Sequence, residues 1–294
     1  MPFMSETGHA RKGKRMEGEK MKNLSKAGGI TFPLRSSLFW YDNVDRKYES
    51  TWPLLCNNWD ANKRMRCLQK QIEYGCNTLT YFLYHFDDPE CRVSPLIGNP
   101  TPEDIAAGNL NWDWTKIAAW WPYFELGSLP GICLVPTLFC GDSRRATNNT
   151  TFHKAFIPPV VQSIHPYITG INIASEASKT MNTAQMENMI QVIRDAWTAA
   201  QLPQKFVGVH WQWNGRDRLP ANADFLMYEF SWHPKDGLQK SVADVVAEAK
   251  RIIAASPLPV LFQELTIECE TEIARAQSRA LRDLQGAYMV AGPM

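Results

Sequence analysis

The sequence predicts a single (β/α)8 barrel, and three observations support this fold class. From about Ser36 onward, eight short apolar runs rich in β-branched and aromatic residues alternate with longer helical patterns. Near-continuous apolar runs separated by helices are typical of parallel strands buried on both faces. Eight such units in roughly 255 residues match the usual barrel size of about 250 residues. An open doubly wound sheet is the weaker alternative, because no G-x-G-x-x-G phosphate loop occurs.

The predicted strands and helices follow one another along the chain. The strands are SLFWY (37–41), NTLTYFLYH (77–85), GICLVPTLFC (131–140), ITGINIASE (168–176), FVGVHWQW (206–213), DFLMYEFSW (224–232), PVLFQELT (259–266) and GAYMVAGP (286–293). The helical patterns, with apolar residues at 3.6-residue spacing, cover 59–74, 114–126, 152–165, 183–200, 242–255 and 271–284. Since the chain ends just after the eighth strand, we expect a barrel whose last helix is missing.

The chain divides into a leader and one barrel domain. Residues 1–30 form a polar, Lys-, Arg- and Gly-rich leader that we expect to be flexible and a candidate attachment point for a partner subunit, and 31–294 form the catalytic barrel. The leader lacks the apolar segment of a signal peptide, which leaves a cytoplasmic and a released or particle-associated location open. A net charge of +1 gives no reason to expect nucleic acid, and no apolar run approaches the ~20 residues of a membrane span.

Two glutamates end otherwise apolar strands. Glu176 follows GINIAS and Glu264 follows PVLFQ. In this fold the active site lies at the carboxyl ends of the strands, and a carboxylate there is costly unless it is solvated, paired or used. The fourth and seventh strands lie across the barrel mouth from each other, so both carboxyls can face one substrate, as glycosidic bond cleavage requires. An ion pair with a strand-end arginine, Arg35 or Arg144, is the alternative for either glutamate.

Aromatic and polar residues at the same strand ends favour a carbohydrate ligand. Tryptophan rings offer apolar platforms to a sugar face, and histidine and asparagine can bind hydroxyls. Strand alternation places Trp211 and Trp213 on one side and His210 on the other, but leaves open which side faces the barrel interior. The tryptophans could instead pack between barrel and helices. The predicted binding residues are Trp40, His85, Asn172, Ser175, His210, Trp211, Trp213, Tyr228, Trp232 and His233.

Two segments resemble the motifs of the clan A glycoside hydrolases. INIASEAS is similar to their strand-four motif and PVLFQELT to their strand-seven motif, and the likeness covers the whole barrel in order and spacing. The resemblance implies that Glu176 is the acid/base and Glu264 the nucleophile of a retaining hydrolase that acts on an oligo- or polysaccharide without a cofactor. The chain departs from the clan at two points: Ser175 stands where the clan has asparagine, which concerns the substrate class, and the last strand lacks the clan's tryptophan. Together the two departures leave a catalytically inactive barrel open.

Other chemistries find less support. A metal-dependent barrel would place His-x-His after strand one, where the chain has FWYDN, and no metal site is predicted. Seven cysteines without a C-x-x-C pair indicate neither a zinc site nor a disulfide framework. The main alternative is a non-catalytic carbohydrate-binding or structural module of a larger assembly. That reading predicts a glutamate tied up in an ion pair, or no open cleft between the two.

Overall fold

The computed structural model describes about half of the chain in detail. The described residues are 35–38, 78–79, 82–84, 95–98, 100–113, 115, 125, 133–139, 148–230, 241–263, 276–277, 279–280 and 288–291. The predicted leader and the predicted helix at 59–74 lie outside these ranges. The longest continuous part, 148–230, contains the fourth and fifth predicted strands and most of the sixth, and therefore most of the described candidate site.

Ten strand segments run in parallel and build the sheet. They are β1 (Arg35–Leu38), β2 (Thr78–Leu79), β3 (Phe82–Tyr84), β4 (Cys133–Leu134), β5 (Thr137–Phe139), β6 (Gly170–Ala174), β7 (Phe206–Trp211), β8 (Phe225–Glu229), β9 (Val260–Gln263) and β10 (Tyr288–Ala291). Hydrogen bonding joins β10-β1-β2-β4 and β3-β5-β6-β7-β8-β9. Two residues separate β2 from β3, and likewise β4 from β5, so each pair occupies one strand position. Because β9 also contacts β10, eight strand positions follow the closed order of a (β/α)8 barrel, as predicted.

Five helices are described on or between the strands. They are α1 (Pro102–Ala107), α2 (Thr150–Ile164), α3 (Ala177–Thr180), α4 (Thr183–Ala199) and α5 (Val242–Ala255). The three long helices match their predictions to within two residues at either end. Asn182 begins α4 and Ser241 begins α5, each in a capping box with the residue three positions later. The described residues within 114–126 and 271–284 are also helical.

Two apolar clusters show which side of each strand faces the helices. The outer cluster joins alternate strand residues, such as Ile171, Val209 and Leu226, to buried residues of α2 and α4. The inner cluster contains no helix residue and consists of Cys133, Val135, Phe225, Met227 and Leu261, with Phe206 beside it. The inner cluster therefore fills the barrel interior, since residues two apart share one side of a strand.

Gly208 shows how tightly the interior is packed. It pairs with Phe225 across β7 and β8, and a Cβ at this position would lie 2.1 Å from the Phe225 ring. Only glycine leaves room for that ring. His210 is two residues further along the same side of β7, so the interior changes from apolar to polar towards the carboxyl ends of the strands.

Candidate active site

Glu176 occupies a strained position at the carboxyl end of the fourth barrel strand. It follows Ser175 after β6 and precedes α3, with a left-handed backbone of φ 47° and ψ 42°. Left-handed backbone is unfavourable for a residue with a Cβ. The side chain is 27% exposed and forms an ion pair with Lys179 one turn later, whose side chain is 55% exposed. Because solvent screens such a pair, it adds little stability and does not compensate for the strain.

His210 is buried on the inner side of β7 and contacts the backbone of Glu176. The Glu176 backbone N–H donates to His210 Nδ1 at 2.6 Å, and Ser175 Oγ lies 3.5 Å from the same nitrogen. Since Nδ1 accepts, the ring proton of the neutral imidazole belongs on Nε2. Burial lowers the pKa of His210 to about 3, and the positive charge of Lys179 acts in the same direction. The imidazole is therefore neutral over the ordinary working range of pH.

Glu229 faces the other nitrogen of this ring. It is the last residue of β8 and is 4% exposed. Its Oε2 lies 3.7 Å from His210 Nε2, and its Oε1 accepts a hydrogen bond of 2.6 Å from Gln212 Nε2. At 3.7 Å, and with a neutral ring, the histidine contact is a charge–dipole attraction and not an ion pair. We call Gln212, Glu229 and His210 the polar chain; it links the ends of β7 and β8 to the backbone of Glu176.

Asn172 within β6 and Ser175 directly after it lie on the same strand as Glu176. The amide of Asn172 donates to Thr137 Oγ1 at 3.1 Å and to the Ala174 carbonyl at 3.2 Å. Within the described part of the chain, Asn172 Oδ1 has no hydrogen-bond partner. Both residues are buried, so Asn172 fastens β6 to the neighbouring β5 below the level of Glu176.

Trp211, Trp213 and Tyr228 lie on the opposite side of the strands. All three belong to the outer cluster and are at most 8% exposed. Trp213 Nε1 donates to the Asp217 carbonyl at 2.6 Å, and the Tyr228 hydroxyl donates to Glu248 on α5 at 2.6 Å. Burial, together with the hydrogen bond to Glu248, raises the pKa of Tyr228. The structure thus places these three rings between barrel and helices and does not bring them together with Glu176.

Five predicted site residues fall outside the described ranges. They are Trp40, His85, Trp232, His233 and Glu264. In the chain, Glu264 directly follows β9, whose last residue Gln263 pairs with Glu229 of β8. By sequence order it therefore follows the seventh barrel strand.

Glu229 and Gln212 are polar strand-end residues in the sequence, but they are not among the predicted site residues. Glu229 ends the otherwise apolar run FLMYE, which is the same signal that singled out Glu176. Gln212 carries no such signal, because its role depends on the neighbouring strand.

The described residues contain neither a metal-binding cluster nor a membrane-spanning helix. Among them, no group of three or more histidine, cysteine, aspartate and glutamate side chains could hold a metal ion. No described helix has the length and apolar character needed to cross a membrane.

Comparison with solved structures finds the same barrel fold in several glycoside hydrolases. An endo-1,4-β-mannanase from Rhizomucor miehei superposes with a TM-score of 0.54 and 11% identity, covering 88% of this chain and 85% of that one. A β-glucosidase from Thermotoga maritima gives 0.54 and 8%, covering 89% and 88%. A Pseudomonas stutzeri endoglucanase gives 0.51 and 13%, covering 78% and 75%. No protein-family model and no curated protein sequence matches the chain.

The fold and the resemblance predicted from the sequence are thereby confirmed. The chain is similar to many clan A glycoside hydrolases across most of its length, at identities that establish the fold alone. It is a (β/α)8 barrel, with a polar chain behind the glutamate that ends its fourth strand.

Proposed function

We propose that the protein is a retaining glycoside hydrolase that cleaves a glycosidic bond in an oligo- or polysaccharide. The observation that carries the proposal is the left-handed conformation of Glu176 at the end of the fourth strand, where its backbone N–H donates a 2.6 Å hydrogen bond to His210. Backbone strain of this kind persists where the surrounding structure enforces it, and it clusters at functional sites. The glycosidase-type barrel supplies the context in which a glutamate at this point has chemistry to perform.

The proposed reaction has two steps and needs no cofactor. In the first, Glu264 attacks the anomeric carbon while Glu176 donates a proton to the departing glycosidic oxygen, which leaves a glycosyl ester on Glu264. In the second, Glu176 takes a proton from water, and that water breaks the ester and releases the sugar with retained configuration. Trp40, His85, Trp232 and His233 remain the proposed sugar-binding residues, with Ser175 next to the acid/base.

The first experiment is a hydrolysis screen followed by two variants. The named activities of the structural neighbours suggest 1,4-β-mannan, cello-oligosaccharides and β-glucosides as the starting panel. We expect Glu264→Gln to abolish turnover. Glu176→Gln is expected to lower kcat by a factor of about 100 or more on natural glycosides, and far less on aryl glycosides whose leaving group needs no proton.

The matched control is Glu187→Gln on α4. Its carboxylate is 25% exposed and pairs with Arg218, which resembles the exposure and ion pairing of Glu176. We expect Glu187→Gln to retain full activity. Equal kcat values for Glu176→Gln, Glu187→Gln and the unaltered protein on natural glycosides would contradict the assignment of Glu176.

The alternative is a barrel that binds carbohydrate without cleaving it. It predicts a glutamate tied up in an ion pair, and Glu176 does pair with Lys179. The exposure of that pair weakens the alternative, because a solvent-screened lysine can release the carboxyl at little cost. Sugar binding by calorimetry, with no hydrolysis of any substrate in the panel, would favour the binding module.

A further inference from the structure

We propose that His210, fixed in place by Glu229 and Gln212, is a positioning residue that holds Glu176 in its left-handed conformation and so sets the direction of its carboxyl. The hydrogen bonds of His210 with Glu176 and of Glu229 with Gln212 are observed in the structure and do not depend on the proposed activity. The catalytic consequence rests on the proposed role of Glu176 as acid/base.

The local structure around Glu176 does not by itself explain the conformation. Although Glu176 occupies the capping position of α3, its side chain makes no capping hydrogen bond. The helix covers only Ala177–Thr180, too short to dictate the backbone of the residue before it. The contact that enforces the turn is therefore the hydrogen bond from the Glu176 N–H to His210 Nδ1, which is 2.6 Å long and partly buried.

That hydrogen bond depends on which nitrogen of His210 carries the proton. A neutral imidazole has one donor and one acceptor, and only the form with the proton on Nε2 can accept from Glu176. Glu229 Oε2, at 3.7 Å from Nε2, favours this form because a carboxylate attracts the N–H dipole. Gln212 in turn holds Oε1 of Glu229 at 2.6 Å, so the carboxylate cannot rotate freely. The low pKa of His210, caused by burial, keeps the ring neutral and Nδ1 available as an acceptor.

Replacing one oxygen of Glu229 by nitrogen should reverse this arrangement. In Glu229→Gln, the amide oxygen remains opposite the Gln212 N–H donor, so the new NH2 group faces His210 Nε2. The ring must then accept at Nε2 and carry its proton on Nδ1. Two N–H donors, from His210 and from the Glu176 backbone, would then face each other, and their hydrogen bond would be lost. The volume and shape of the side chain stay almost unchanged, so the variant tests the hydrogen-bond pattern and not the packing.

The experiment combines kinetics with a direct observation of the tautomer. We expect Glu229→Gln to lower kcat about tenfold or more on substrates with poor leaving groups, with KM nearly unchanged and little effect on activated aryl glycosides. The 15N chemical shifts of His210 should report a proton on Nε2 in the unaltered protein and on Nδ1 in Glu229→Gln. A merely structural role would lower stability but would not separate substrates by their leaving groups.

A second pair of variants keeps the proposal testable if Glu229→Gln does not fold. His210→Asn keeps an oxygen acceptor near the position of Nδ1, whereas His210→Leu removes it, so the asparagine variant should retain more kcat than the leucine variant. Glu187→Gln serves again as the control. An unchanged tautomer and unchanged kcat in Glu229→Gln would overturn the proposal. An inactive unaltered protein would contradict the proposed function instead, and the 15N shifts would still decide whether Glu229 controls His210.

Discussion

Acidification from pH 7 to pH 5 is expected to destabilise this protein through His210. An unfolded histidine has a pKa of about 6.5, whereas burial lowers the pKa of His210 in the native state to about 3. Between these values the unfolded chain binds a proton that the native protein does not. The stability associated with the neutral ring is therefore fully present above about pH 6.5 and is lost as the pH falls towards 3. At about 1.4 kcal/mol per pH unit, the loss is about 2 kcal/mol at pH 5 and at most about 5 kcal/mol over the whole interval.

Urea denaturation of the unaltered protein and of His210→Asn at pH 7 and pH 5 would measure this effect. Asparagine does not titrate, so the variant should lose about 2 kcal/mol less than the unaltered protein on acidification, even if its own stability is lower at pH 7. Carboxylates that titrate in both proteins cancel in the comparison. An equal loss of stability in both proteins would refute the reasoning, because it would mean that water or a proton reaches the ring in the native state.

Two further substitutions test the backbone and the core. Gln201 directly follows the C-cap of α4 and has a positive φ of 57°, so Gln201→Gly should raise the free energy of unfolding by about 0.5–1 kcal/mol without altering activity. An unchanged or lower stability in urea denaturation would count against a left-handed Gln201. Gly208→Ala would place a Cβ 2.1 Å from the Phe225 ring, and we expect it to cost about 1–3 kcal/mol by the same assay. A neutral result would show that the ring does not cover Gly208.

The elements that the sequence predicts well are those with a local signal. Helix α5 begins and ends where its periodicity predicts, because Ser241 and Asp244 form a capping box at its start. The break between β4 and β5 was not predicted, although Pro136 lies in it and cannot donate a ladder hydrogen bond. Helices α1 and α3 are shorter than two turns, too short for an apolar period to identify them.

A residue of the candidate site can be predicted from the sequence only where the pattern that marks it lies within one strand. Glu176 stands out as a carboxylate at the end of an apolar run, but its dependence on Glu229 arises from the pairing of β7 with β8. Alternation alone does not decide the orientation of Trp211, since it gives two equivalent choices. In the structure, the wholly apolar series Val207, Val209 and Trp211 packs in the outer cluster, which leaves the more polar series for the interior. The apolar faces of the helices decide this choice, and they become relevant only once the layers are assembled.

At position 176 the proposed chemistry and the stability of the fold favour different residues. The left-handed backbone there favours glycine or asparagine, and neither of these can deliver a proton to a departing alcohol. If Glu176 is the proposed acid/base, a lineage that lost the hydrolytic activity would gain stability by replacing it, so this side chain should be lost early. Among related barrels, a glutamate retained at this turn would thus mark continued selection for activity, and a glycine would mark a descendant that has kept the fold after losing the reaction.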